Sequence, residues 1–401
     1  MRWTHALSTR DHANASPLWL VADEPLVNDL VVYLDDMRRA IHAAPHERHT
    51  FTFSRSKLRQ TRKAFARMIR HGETRLHRFC ELAGEAFLDG SYALQSVAIG
   101  SATTTKERFT VVQDITSADL YSQTDLDLGN RQVQRFRYFD GTRWSRATLV
   151  ANVVEYQPEA INHWRVYKMV SRIKAEEQIW NKVVDTIFGL DRLVQLDKQL
   201  RHLNRFVKDV FGVKFVVGDS DAVHALHEAL LSLRWEDSRL THHEVPLQAS
   251  TRTLQCLETK DYLDERRGRM KASGWQAVKS VFQWWDTMIE VQVQPLANYL
   301  QERERLTKES HAGFKAKREA LRNQIAASIP LFGFYRDLLK WLFLALLSGS
   351  LVKASSYAIV QNLSCSLSSR SCRFTQFYST RFTFPSSPLT PAWPALPFDS
   401  V

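Results

Sequence analysis

The chain has 401 residues, 44% of them apolar and 24% charged, with a net charge of +11 and four cysteines. That composition is ordinary for a globular protein with more than one core, and it excludes a collagen-like, disordered or disulfide-stapled chain. The positive balance favours anionic partners such as nucleotides, RNA or phosphates. No Cys-x-x-Cys pair occurs among Cys80, Cys256, Cys365 and Cys372, so no thiolate zinc site or disulfide framework is expected, and a reducing, cytoplasmic setting fits.

The first apolar patch, PLWLVADEPLV at 17–27, is broken by Asp23 and Glu24, so a secretory leader is not expected. Residues 54–88 predict a helix: Leu58, Phe65, Ile69, Leu76 and Phe79 recur at helical spacing. Its other face carries Arg55, Lys57, Arg59, Arg62, Lys63, Arg67, Arg70, Arg75 and Arg78, a run that suits a solvated surface or an RNA backbone. Residues 89–150 mix short β-type runs, RFTVVQ, QRFRYF and ATLVANVV, with the turn signals DGS and DGT. Here Ser91, after Gly90, is followed much later by Asp125-x-Asp127, an arrangement that resembles a nucleotidyl-transfer carboxylate pair at longer spacing than usual. A polar turn and a strand edge explain the same residues.

From 155 to 325 helices and strands alternate, which predicts a mixed β-sheet flanked by helices, an α/β or α+β fold. HWRVYKMVSRIKAEEQIWNKVVDTIF (163–188) predicts one helix, with Lys174 and Lys182 two turns apart on a common face. VKFVV predicts a buried strand and SDAVHALHEALLSLRW a helix. AVKSVFQWW and TMIEVQV predict two strands joined at Asp286, and the stretch from Asn298 to Ile325 a charged helix. Alternation in the second of those strands sends Met288, Glu290, Gln292 and Gln294 to one face and Ile289, Val291 and Val293 to the other. A glutamate there, beside Asp209, suits a magnesium site, since Mg²⁺ takes one or two carboxylates together with substrate phosphates and water. Residues 326–350 predict an apolar helix, too short in its run WLFLALLSGSLV for stable membrane insertion. Residues 351–401, rich in Ser, Pro, Thr and Phe, predict a poorly ordered low-complexity tail.

Several short motifs stand in one order: Arg172-x-Lys174 with Lys182 eight residues on, Asp209-x-x-Gly-x-Lys214, Lys260-Asp261-Tyr262, Lys271-x-x-Gly-Trp275, Glu290-x-Gln292, and His311-x-x-x-Lys315. The series resembles the synthetase domain of the RelA/SpoT-type alarmone synthetases, of the small kind with a single synthetase domain. The resemblance covers 155–325 and leaves 1–150 as an N-terminal α/β extension of open role. It implies a nucleotidyltransferase-like fold and Mg²⁺-dependent transfer of pyrophosphate from ATP to the 3′-hydroxyl of GDP or GTP. It further implies Arg172, Lys174 and Lys182 on the ATP phosphates, Asp209 and Glu290 as metal carboxylates, and Glu290 as the base. Trp275 takes the place of a tyrosine that stacks on the acceptor base. Lys214, Lys271, Lys279, Gln292, His311 and Lys315 complete the nucleotide side.

The chain also departs from that pattern. Ala272-Ser273-Gly274-Trp275 replaces Pro-Asn-Gly-Tyr, Lys279 replaces a histidine, and Gln294-Pro295 stands where Arg-Thr is usual after Glu-x-Gln. The acceptor therefore stays open among GDP, GTP, an adenine nucleotide and tRNA, the last two as in toxin-like relatives. A catalytically inactive nucleotide- or RNA-binding module is the rival reading. No His-Asp dipeptide occurs, so the metal-dependent hydrolase of the longer relatives is not expected. Relatives often oligomerise, and a homo-oligomer is compatible with this chain.

Overall fold

A computed structural model describes residues 24–44, 47, 49–102, 107–139, 141–142, 144–188, 209–263, 274–308, 319–320, 322–327, 329–340, 342–343 and 371–376. Helix α1 (Pro25–Ala43) starts with a proline in its first turn, where no backbone donor is lost, and buries Leu30, Val31, Leu34, Met37 and Ile41. Strand β1 (His49–Ser54) leads directly into α2 (Arg55–Phe87), whose first turn is capped by Ser54 Oγ accepting from Lys57 N at 3.4 Å. At 33 residues α2 is about 50 Å long. Leu58, Phe65, Leu76 and Phe79 are buried along it, as their spacing predicts.

Strands β2 (Tyr92–Ala102) and β3 (Arg108–Asp114) pair antiparallel, and the short helices α3 (Ser117–Ser122) and α4 (Asp125–Gln134) follow, each capped by a threonine. Then come β4 (Arg137–Phe139), β5 (Trp144–Pro158), β6 (Val166–Ile173), α5 (Glu176–Ile187) and β7 (Phe211–Val217). The chain continues through α6 (Ser220–Ser232), α7 (Asp237–His242), α8 (Ala249–Arg252), β8 (Gln255–Asp261), β9 (Val278–Trp284) and β10 (Thr287–Pro295). Helices α9 (Leu296–Lys308) and α10 (Pro330–Lys340) precede β11 (Ser371–Gln376), which pairs antiparallel with β1.

Among the described residues, nine strands form one mixed sheet in the order β3-β2-β5-β6-β7-β10-β9-β8, with β4 appended to β5. The neighbours are antiparallel except β7 and β10, which run parallel. The fold is thus mixed α+β, a mixed sheet flanked by helices. Phe211, Val213 and Phe215 of β7 and Ile289, Val291 and Val293 of β10 are buried on one face, where α2 and α6 pack. Gly72 of α2 lets this contact close: a Cβ there would stand 2.0 Å from the Phe211 ring. The opposite face of the same strands carries Gly212, Lys214, Glu290 and Gln292.

The single helix expected over 163–188 is not what forms. Residues 166–173 are strand β6, and the helix begins only at Glu176. The segment lies between β5 and β7, whose ladders satisfy its amides and carbonyls on both sides. That pairing outweighs a helical reading of its scattered apolar residues. The hairpin expected around Asp286 is present, with Trp285 at φ +58° in the turn. Strand β5 crosses residue 150, and side chains from both sides of that position share one core that includes Leu34, Phe79, Tyr156, Phe215 and Ile289. Of the apolar run after 340, Leu342 and Phe343 are buried, the latter stacked on Trp180 at 3.9 Å. Among the described residues no helix is long and apolar enough to cross a membrane.

Candidate functional site

Register sets the site. Arg172 of β6, Gly212 of β7 and Glu290 of β10 stand side by side across three strands. In the next row Lys214, Gln292, Lys279 and Lys260 align across β7, β10, β9 and β8. Partners in register point to the same side, so four cations and one buried carboxylate share this face. Gly212 leaves room between its neighbours: a Cβ there would already touch Arg172 Nε at 3.5 Å, and a longer side chain would displace the guanidinium.

Glu290 is buried, at 2% exposure, with cations and an amide donor around it. Lys279 Nζ lies 2.5 Å from Oε2, Arg172 Nη2 3.7 Å from Oε1, and Gln292 Nε2 donates to Oε1 at 2.8 Å. Burial pushes its carboxyl up and the Asp209 charge adds to that, but Lys279 and Arg172 outweigh both and hold it below the usual range.

The second centre lies where β6 ends and β7 begins. Lys174 N donates to Val210 O at 2.8 Å, which sets residues 174 and 209 beside each other. Lys174 Nζ pairs with Asp209 Oδ2, and Lys182 Nζ reaches from α5 to within 2.6 Å of both Asp209 oxygens. Burial works against the Asp209 carboxylate, but the two ammoniums dominate and hold its carboxyl well below the ordinary range. Burial, with Lys182 close by, pushes Lys174 down to about 7. Arg172 and Lys174 therefore belong to the end of a strand and its exit, not to a helix, and only Lys182 is helical. Lys174 and Lys182 still meet, through Asp209 rather than through a shared helix face.

Trp275 stands half-buried in the segment leading into β9. Its Nε1 donates to Glu302 Oε2 at 3.4 Å and its ring meets Tyr262 edge-on at 5.3 Å between centroids. Helix α9 holds this segment. Asn298 Nδ2 donates to Gly274 O at 2.9 Å, and Asn298 Oδ1 accepts from Gln276 N at 3.1 Å. Glu302 also pairs with Lys214 at 2.9 Å and accepts from Gln294 Nε2 at 3.1 Å. Burial lowers Lys214, while Glu302 opposes that. Neither Asn298 nor Glu302 carries a signal in the sequence, because each is one polar residue among many on a charged helix. Lys271, His311 and Lys315 lie outside the described residues.

The alternative site at Ser91, Asp125 and Asp127 does not form. Ser91 Oγ donates to Glu159 at 2.6 Å. Asp125 turns inward, buried against His77 of α2, whereas Asp127 is exposed and holds the cap residue Thr124 at 2.7 Å. Both aspartates sit in the first turn of α4, two residues apart, a spacing that sends side chains to opposite sides of a helix, so they face no common groove. Part of the basic run on α2 is also committed internally: Lys57 pairs with Asp29, Arg75 with Asp286, and Arg78 with Glu81 and Glu244. Arg59, Lys63, Arg67 and Arg70 are exposed.

No family model matches this chain, and no curated protein sequence matches it. Among solved structures, the chain is similar to small alarmone synthetase 1 from Bacillus subtilis bound to its product pppGpp, at 13% identity and a TM-score of 0.23, covering 44% of this chain and 74% of that one. It is similar to a second structure of the same synthetase at 13% identity and a TM-score of 0.21, with the same coverage.

Proposed function

We propose that this chain is a pyrophosphokinase that transfers pyrophosphate from ATP to the 3′-hydroxyl of GDP or GTP. One observation carries the reading: motifs far apart in the chain, in the order that resembles the RelA/SpoT-type synthetases, gather Arg172, Lys279 and Gln292 around the buried Glu290, and Lys174 and Lys182 around the partly buried Asp209 where β6 ends and β7 begins. Arg172, Lys174 and Lys182 supply positive charge for the ATP phosphates. Trp275, braced by Tyr262 and Glu302, offers a ring for the acceptor base. The 3′-oxygen attacks the β-phosphorus of ATP, the bond to the α-phosphate oxygen breaks, and AMP leaves. Glu290 accepts the proton from the hydroxyl. Transfer of this kind needs alignment and charge neutralisation more than covalent chemistry.

Asp209 and Glu290 fit a magnesium ion by donor chemistry: both are oxygen ligands held in the charged form by neighbouring cations, Glu290 buried and Asp209 partly buried. When bound there, Mg²⁺ would supply charge neutralisation at the phosphates.

The test is incubation of the full chain with γ-labelled ATP and GDP, GTP, AMP, ADP or uncharged tRNA, with Mg²⁺ or with EDTA. A labelled guanosine product that needs Mg²⁺ supports the proposal, and no labelled product with any acceptor overturns it. Glu290→Gln should lower turnover by about 10²–10⁴-fold and leave ATP affinity within a few-fold. A catalytically inactive binding module is the second reading, favoured by the Lys279–Glu290 pair, which occupies the base and makes it a weak one. Nucleotide binding without turnover in the same assay would select it.

A further inference from the structure

We propose that Glu73, His77 and Asp125 form a buried site for one divalent transition-metal ion, zinc by its donor chemistry, that ties α2 to α4 and β5. Glu73 and His77 are one turn apart on α2, so they project from the same side of the helix. Asp125 opens α4 and faces them. One ligand atom from each of the three lies within 4.8 Å of the others, and His77 Nε2 already stands 3.1 Å from Asp125 Oδ1. Tetrahedral zinc with bonds of about 2.0–2.1 Å separates its ligand atoms by about 3.3 Å, so small side-chain rotations would close the set. The three side chains are almost wholly buried, at 4%, 0% and 4% exposure.

Three observations point to a ligand and not to a closed polar cluster. Asp125 Oδ2 is buried without a hydrogen-bond partner, a state a carboxylate oxygen rarely keeps. The outer contacts orient the donors as metal ligands are usually oriented. Tyr156 Oη lies 3.4 Å from His77 Nδ1, which leaves Nε2 to face the carboxylates. Asp125 N donates to Glu73 Oε1 at 2.6 Å, which holds that carboxylate from behind, and Asn152 Nδ2 donates to the Asp125 backbone carbonyl at 2.7 Å, which fixes the residue that carries the second acid. The third is charge. Among the described residues no lysine or arginine pairs with Glu73 or Asp125, while nearby Glu81 is engaged by Arg78, Tyr121 and His243. Two carboxylates, a neutral imidazole and a divalent ion sum to zero, which a buried site tolerates.

The site is separate from the candidate synthetase centre. Tyr156 is in register with Met169 and Met169 with Phe215, which places it on the helix-covered face, opposite Glu290. The ion would act as a structural clamp between α2 and α4, with β5 held to it through Tyr156 and Asn152.

The experiment uses the full chain, stripped with EDTA, reloaded with Zn²⁺ and desalted, with metal measured by plasma mass spectrometry. We expect about one zinc ion per chain and a higher melting temperature than the stripped protein. Asp125→Asn and Glu73→Gln, which keep the shape of each side chain, should lose the ion, while Asp209→Asn keeps it. If either variant fails to fold, zinc-edge X-ray absorption on the wild type decides, the expected shell being nitrogen and oxygen with a single imidazole and no sulfur. A wild-type chain that retains no zinc marks a cluster neutralised by protons alone and overturns the proposal. Zinc retained in Asp125→Asn but lost in His242→Ala places the ion at the partly exposed group Glu85, His242 and His243, and also overturns it.

Discussion

Lys279 is the residue at which this site differs most in chemistry from the pattern it resembles. An ammonium 2.5 Å from Glu290 keeps that carboxylate charged and lowers its basicity. Glu302 has a different task, since it joins Trp275, Gln294 and Lys214 in one contact set. Trp275→Ala should raise the acceptor KM by about 5–150-fold, the equivalent of a lost stack of about 1–3 kcal/mol. Glu302→Gln should raise it by about tenfold or more through loss of a charged contact, with kcat less affected. Steady-state kinetics on the two variants checks both. His243 offers a pH test away from the site. Its hydrogen bond to Glu81 raises it above 6.5 despite partial burial, with Glu85 adding to the effect. The charged imidazole therefore stabilises the fold fully below about 6.5, and that contribution is lost as pH rises through the folded value. Urea unfolding from pH 6 upward should show wild type losing stability relative to His243→Gln, and a difference that does not change with pH would contradict the assignment. At this scale the sequence made Lys174, Lys182, Asp209 and Glu290 visible, because rare spacings of charged residues survive in one dimension. Glu302 and Asn298 were not visible, because their role depends on which loop lies beside them.

Elements report a different mixture. The helix α2 and the strand β10 follow from apolar period, and β7 from a short apolar run. Strand β6 does not, since VYKMVSRI alternates imperfectly and only its two neighbours make it a strand. The end of β6 delivers Lys174 to Asp209 all the same, through the Lys174 N to Val210 O bond. The contact of α2 with β7 depends on Gly72. Gly72→Ala would drive a methyl into the Phe211 ring, and a cost of about 1–3 kcal/mol is expected from overpacking. A lower urea midpoint with unchanged slope would show it, and an unchanged midpoint would mean that the ring moves freely aside.

At the scale of the molecule, the residues before 150 are continuous with those after it. Strands β2, β3 and β5 extend the same sheet that carries the candidate site, and α2 covers the back of β6, β7 and β10. A fragment beginning at residue 155 would lose that helix and most of β5, leaving β6 paired on that side only through Glu155 and Tyr156. We expect such a fragment to lack a cooperative thermal transition, whereas the full chain unfolds in one transition through this region. A fragment that melts cooperatively with near-native circular dichroism would show an independent unit. The boundary drawn from sequence near 150 follows a change in motif content. Sheet continuity leaves no such mark, since pairing partners are distant in the chain.

The ion pairs at Asp209 and Glu290 have a consequence for how ligands bind. Each carboxylate is already matched by a tethered ammonium, whose effective concentration far exceeds that of any free ion. A divalent cation alone would have to displace Lys174, Lys182 or Lys279 and leave it without a partner. A polyphosphate arriving with the cation gives the released ammoniums somewhere to go. Lysines that exchange one anion for another thus couple the two ligands energetically, so each should raise the other's affinity by the same factor.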